Sequence, residues 1–162
     1  MNEKKSVQVY FGNGQGKTTA AIGQCIRAIS MDEQVIVIQF LKGKEQETLR
    51  CLDQFDDNIK VFRFEKFQQF YQELSREDQQ EERQNLLNGF HYAKKVAEIG
   101  ECDLLVLDEV LGLVDLGIIT VEELANLVNI CKESCRLVMT GLNLPNEILS
   151  LVDTASRIDA VK

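Results

Sequence analysis

The sequence predicts an α/β domain: a mostly parallel central sheet with helices on both faces. Three observations lead there. Short apolar runs of strand length alternate with longer stretches of helical periodicity along all 162 residues, the pattern of βαβ units. The run at 35–41 (VIVIQFL) is almost continuously apolar, as a strand buried on both faces must be. Two capping boxes, Ser75 to Asp78 and Thr120 to Glu123, mark where helices open between strands.

The elements follow in order. Residues 6–11 (SVQVYF) read as a strand that ends at glycines, and 17–30 as a helix. After the strand at 35–41, residues 59–64 (IKVFRF) alternate apolar and polar and read as a strand nearer an edge. The polar run 72–85 reads as a solvated helix face. The helix opened by Ser75 has Leu86, Phe90, Ala93 and Ala97 on its inner face. Residues 103–107 (DLLVL) form the next strand. The helix opened by Thr120 buries Val121, Leu124, Val128 and Cys131. Residues 136–140 (RLVMT) are a strand, Pro145 suits the first turn of a short helix, and 155–161 read as a final strand. Right-handed crossovers join such units into a parallel sheet. One domain spanning 1–162 is expected, since there is one proline, no linker and no repeat.

Composition excludes several classes. The net charge is -8, so nucleic acid is not an expected partner, because binding it needs clustered Lys and Arg. An anionic ligand then requires a local basic site. No run approaches the roughly 18 apolar residues of a membrane span, and the first eleven residues are too short in apolar stretch for a signal peptide. The five cysteines form no CxxC pair. Cys131 and Cys135 share a helix face, but zinc there lacks two further soft ligands. Five reduced, mostly buried thiols are the expected reading, and with it a cytoplasmic protein.

Chemistry concentrates at two strand ends. Gly12-Asn13-Gly14-Gln15-Gly16-Lys17-Thr18-Thr19 follows a strand and opens a helix, the context of a phosphate-binding P-loop. Glycines let backbone N–H groups surround phosphate oxygens, and the helix directs its positive end at the same anion. Lys17 supplies a charge and Thr18 a hydroxyl for a divalent cation, Mg²⁺ or Mn²⁺. The general pattern puts its first glycine at position 11, where Phe11 stands. The second motif, Leu104-Leu105-Val106-Leu107-Asp108-Glu109, is an apolar strand closed by adjacent acids, as in a Walker B element, expected on a strand neighbouring the P-loop. Asp108 would hold the cation directly or through water. Glu109 would be a second ligand or orient a reactant.

Three weaker features accompany these. Lys42 and Lys44 close the second strand run, as phosphate contacts or as a surface pair. Phe62 and Phe64 read as core, whereas Phe67, Phe70 and Tyr71 lie among Gln and Glu and suit either the core or a pocket for a large flat ligand. His91 is the only histidine and reads as structural, so no histidine-based catalytic set can be assembled.

Four stretches in order, FGNGQGKTTAAIG, VIVIQFLKG, CDLLVLDEV and RLVMTGLNLPNEILSLVDTASRI, resemble the ATP:corrinoid adenosyltransferases that act on cob(I)yrinic acid a,c-diamide and cob(I)alamin. The resemblance runs from about residue 6 to the end, and the P-loop shares the family's departure at position 11. It implies a RecA-like P-loop NTPase fold and a homodimer. The implied reaction moves the 5′-deoxyadenosyl group of ATP to reduced cobalt and releases triphosphate. It further implies a corrinoid substrate and a reduced flavoprotein as electron donor. Gly12 to Thr19 would bind ATP, Lys17, Asp108 and Glu109 would serve catalysis, and Thr18, Asp108 and Glu109 would serve the metal. Phe70 and Tyr71 fall near an aromatic pair that faces the corrinoid. Leu142 stands where the family carries arginine. The family's N-terminal helix and longer C-terminal tail have no counterpart in these residues, which bears on corrinoid closure rather than on the nucleotide. Two other readings stay open: a nucleotide or corrinoid-binding module without turnover, and an ordinary P-loop ATPase or small-molecule kinase.

Overall fold

The computed structural model describes residues 4–41, 47–55 and 57–162, with side chains at 47–49 excepted. Lys42 and Lys44 lie outside the described residues. Six strands form one sheet: β1 (Val7–Phe11), β2 (Val35–Gln39), β3 (Ile59–Arg63), β4 (Leu104–Asp108), β5 (Arg136–Gly141) and β6 (Thr154–Arg157), in the spatial order β3-β2-β4-β5-β1-β6. Every pairing is parallel. The helices are α1 (Lys17–Ile29), α2 (Arg76–Ile99), α3 (Val110–Asp115), α4 (Val121–Ser134) and α5 (Asn146–Leu149), with 3₁₀ segments at Glu47–Phe55 and Tyr71–Glu73.

Alternation along the strands builds a core on each face of the sheet. Val35, Val37, Leu104, Val106 and Val138 face one way and pack with Ala21, Ile22, Cys25 and Ala28 of α1 and with Leu52. Ile36, Ile38, Leu105, Leu107, Leu137 and Met139 face the other way and pack with Leu86, Phe90, Ala93 and Ala97 of α2 and Leu124, Val128 and Cys131 of α4. The predicted inner faces of α2 and α4 are thus buried, with Val121 partly so. Ser75 and Thr120 cap those helices as expected, each side-chain oxygen accepting the N–H three residues on.

Several boundaries differ from the sequence expectation for local reasons. The second strand stops at Gln39, two residues early, and Leu41 has a left-handed φ of 58° that ends the extended run. Pro145 sits one place outside its helix, as the N-cap of α5. The last strand ends at Arg157, because Ile158 turns to bond the loop after β1. Helix α3 was not expected; its apolar VLGLVD run continues the strand pattern of β4. The P-loop and Walker B strands are not neighbours: β5 lies between β1 and β4. Helix α1 packs across β1, β5 and β4, so its first turn still reaches the end of β4.

Candidate active site

Ligands of open parallel sheets bind outside the carboxyl ends of the strands, and here those ends carry the polar residues. Asp108 closes β4 and is 1% exposed. A carboxylate at that depth needs donors, and three side chains supply them. Thr18 Oγ1 donates to its two oxygens at 3.0 and 3.2 Å. Thr140 Oγ1, from β5, donates at 2.6 Å, and Gln39 Nε2, from β2, donates at 3.0 Å. The Thr140 hydroxyl in turn accepts the N–H of Glu109 at 2.8 Å. The strand that separates β1 from β4 therefore fills the gap with a hydroxyl that ties both acids into place.

The loop before α1 has a divided structure. Gly16 is the helix N-cap, with φ 104°, and the N–H groups of the first turn beyond it have no intrahelical acceptor. Lys17 Nζ donates to the carbonyl of Gly14 at 2.8 Å, so its ammonium lies within the loop. Gln15 and Thr19 are exposed. Gly12 and Gly14 direct their N–H groups to protein carbonyls, those of Gly141 and Leu142 for Gly12 and that of Ile158 for Gly14. Asn13 Oδ1 accepts the N–H of Ala160.

The donors at the end of β4 fit a hard divalent cation. Thr18 and Asp108 present hydroxyl and carboxylate oxygens in contact with each other. Gln39 Oε1, on the same amide that bonds Asp108, is buried with no hydrogen-bond partner among the described residues, so polarity there exceeds what those residues satisfy. Mg²⁺ is commonly held by one or two carboxylates together with substrate phosphates. Among the described residues no group of three or more His, Cys, Asp or Glu is placed to hold a metal by itself.

Glu109 takes a different position from Asp108. Its backbone is left-handed, with φ 63°, a conformation that strains a non-glycine residue by roughly 1–3 kcal/mol and concentrates at functional sites. Its side chain lines a cavity of about 530 Å³, with Leu41, Phe70, Tyr71, Leu116 and Leu142 among the other walls. That volume is in the range of ligand pockets. Phe70 is 59% exposed beside it, whereas Tyr71 packs partly against the core. Phe62 and Phe64 instead close on Tyr92, with ring centroids 5.0 and 5.6 Å away, and Phe67 lies under the Lys66 ammonium. The aromatic stretch is thus split: Phe62 and Phe64 pack on the core, Phe70 and Tyr71 line the cavity, and Phe67 does neither. His91 is exposed against Phe90.

The structure brings together Thr18, Lys17 and Asp108, and sets Glu109, Phe70 and Tyr71 around the adjoining cavity. Gln39 and Thr140 were not singled out for a role from sequence. Their signal resembles the one that exposed Asp108: a polar residue following an apolar run at the carboxyl end of a strand, VIVIQ and LVMT beside LLVLD.

Comparison with known proteins identifies the family and the fold. The profile of the family ATP:corrinoid adenosyltransferase BtuR/CobO/CobP matches residues 3–162. A corrinoid adenosyltransferase of Escherichia coli (strain K12) is 28% identical over 163 residues, 99% of this chain and 80% of the relative. The corrinoid adenosyltransferase CobA of Salmonella typhimurium is 29% identical over 162 residues, 99% and 79% of the two chains. The crystal structure of a KaiC-like protein, PH0186 from Pyrococcus horikoshii OT3, superposes with a TM-score of 0.62 at 16% identity, covering 98% of this chain and 73% of that one. The fold is thus RecA-like, and the chain belongs to the ATP:corrinoid adenosyltransferase family.

Proposed function

We propose that the protein transfers the 5′-deoxyadenosyl group of ATP to the reduced cobalt of a corrinoid, cob(I)alamin or cob(I)yrinic acid a,c-diamide, and releases triphosphate. One observation carries this reading: the P-loop and an aromatic-walled cavity meet at two adjacent acids, Asp108 bonded to Thr18 and Glu109 facing the cavity. The reduced cobalt supplies an electron pair to carbon 5′ of ATP, a cobalt–carbon bond forms, and the carbon–oxygen bond breaks with its pair leaving on triphosphate. The nucleophile belongs to the substrate, so no protein base is required.

The protein's part is binding, alignment and charge stabilisation. Lys17 and the first-turn N–H groups of α1 hold the triphosphate and stabilise the charge that accumulates as it departs. Thr18 and Asp108 would hold a divalent cation, Mg²⁺ or Mn²⁺, which adds positive charge against the same phosphates. Glu109 orients the reactants at the boundary, and Phe70 and Tyr71 offer flat apolar surface to the corrinoid. A reduced flavoprotein as electron donor and a homodimer complete the reading.

Anaerobic mixing of protein, ATP, Mg²⁺ and chemically reduced cob(I)alamin tests it. The expected result is a light-sensitive cobalt–carbon product with one triphosphate per turnover, lost in Lys17→Ala. ADP and phosphate as the only products would make it an ATPase or kinase. Bound ATP with no corrinoid chemistry would leave a binding module.

A further inference from the structure

The first half of the phosphate loop is shaped by protein, not only by the ligand it would serve. After β6 the chain runs beside the loop and makes three hydrogen bonds, one to the last residue of β1 and two to the loop itself. Ile158 N–H donates to the Phe11 carbonyl at 2.7 Å, and Gly14 N–H donates to the Ile158 carbonyl at 2.8 Å. Ala160 N–H donates to Asn13 Oδ1 at 2.9 Å. On its other side Gly12 N–H reaches the carbonyls of Gly141 and Leu142.

The approach is close enough to dictate residue type. A Cβ on Gly12 would lie 2.3 Å from the Ile158 carbonyl oxygen, and one on Gly14 would lie 2.8 Å from the backbone of Asp159. A Cβ on Gly16 meets nothing within 4 Å, so only its φ of 104° calls for glycine there. The loop thus has two parts. Positions 12–14 are gripped between β5 and the segment after β6, and position 16 opens the helix whose first-turn N–H groups have no intrahelical acceptor and suit an anion.

We propose that Ile158 to Ala160 is a positioning strap for the phosphate loop, with Asn13 as the side chain that latches it, and that the strap sets affinity for the triphosphate group itself. This rests on the reading of Gly12 to Thr19 as the ATP-phosphate site. A loop already fixed in its binding shape does not have to be ordered when the ligand arrives, and the ordering cost otherwise subtracts from affinity. Asn13 is exposed and removed from the core, so its loss acts on the loop and not on folding.

Calorimetric titration with Mg²⁺-ATP and with inorganic triphosphate tests the strap in wild type, in Asn13→Ala and in a chain shortened to end at Arg157. Loss of one hydrogen bond's worth of pre-ordering is expected to weaken both ligands by the same factor, about tenfold for Asn13→Ala, and further for the shortened chain. The KM for ATP rises by that factor while kcat falls less, and the melting temperature of the ligand-free Asn13→Ala protein stays within about 2 °C of wild type. If both variants bind triphosphate as wild type does, the strap has no such role. If ATP alone weakens, the segment serves the adenosine and the proposal is overturned. A wild-type protein that binds neither ligand removes the ATP-site reading beneath it. Should the shortened chain fail to fold, Asn13→Ala decides the matter.

Discussion

The two ends of the same two strands, β4 and β5, are built from opposite materials. Their carboxyl ends carry Asp108 and Thr140, a buried charge and the hydroxyl that bonds it. Their amino ends are preceded by Cys102 and Cys135, which meet Cys131 of α4 in a cluster of buried thiols. Between them lie the interchangeable apolar runs LLVL and LVM. A buried carboxylate is tolerated only where donors converge on it; three do at one end. Thiols need no such support, since they pack as small hydrophobes with weak donors. Hydrogen bonding to Cys135 and burial hold the Cys102 and Cys131 thiols well above the ordinary range, which keeps them neutral. The chain concentrates polar groups at the strand ends where loops can bring a ligand and packs buried thiols at the opposite ends.

The sharpest way to break that contrast is Asp108→Asn. The side chain keeps its size but loses its charge and sets an NH₂ among three donors. We expect adenosyl transfer to fall roughly 100- to 1,000-fold, the range seen when one electrostatic contact at a reacting centre is removed. Stability should fall by about 1–3 kcal/mol in a urea titration. Transfer within threefold of wild type would show that the charge at the end of β4 is structural.

Thr140→Val comes next. It is close in shape and deletes only the hydroxyl that bridges the Asp108 carboxylate and the Glu109 N–H. Activity should drop about tenfold, as for partners that orient a site without contacting substrate. The thermal midpoint should fall by an amount equivalent to about 1–2 kcal/mol. An unchanged rate would mean that Thr18 and Gln39 fix Asp108 unaided.

How much of this was legible in the sequence follows from which signals are local. The strand–loop–helix of the P-loop, the acid pair at the carboxyl end of β4 and the caps at Ser75 and Thr120 are local patterns, and each was found. Strand order is not local. That β5 separates β1 from β4 depends on which crossover runs where, and no residue in either motif encodes it. Thr140 and Gln39 were hidden for the same reason: their importance lies in which carboxylate they meet. Gly12 and Gly14 were legible as a loop, but the backbone that presses on them comes from more than 140 residues away. Helix α3 was lost to a shared pattern, because its apolar residues follow β4 after a single residue, Glu109.

The thiol end should give the smallest effects on function. Cys131→Ala removes one fully buried sulfur, so stability should fall by about 1 kcal/mol, while kcat and both KM values stay within about twofold. Labelling tests the same point without mutation. Cys51 is exposed, and Cys25, Cys102, Cys131 and Cys135 are buried. Burial also pushes the Cys25 thiol up to about 12, so at pH 8 it is protonated, and the thiolate that reacts is scarce. A maleimide at pH 8 should therefore modify Cys51 quickly. The other four should follow only as the fold opens, at a rate that rises with added urea. Cys135 reacting as fast as Cys51 in the native protein would mean that the amino end of the sheet is open to solvent. The two ends of β4 and β5 would then differ in chemistry but not in burial.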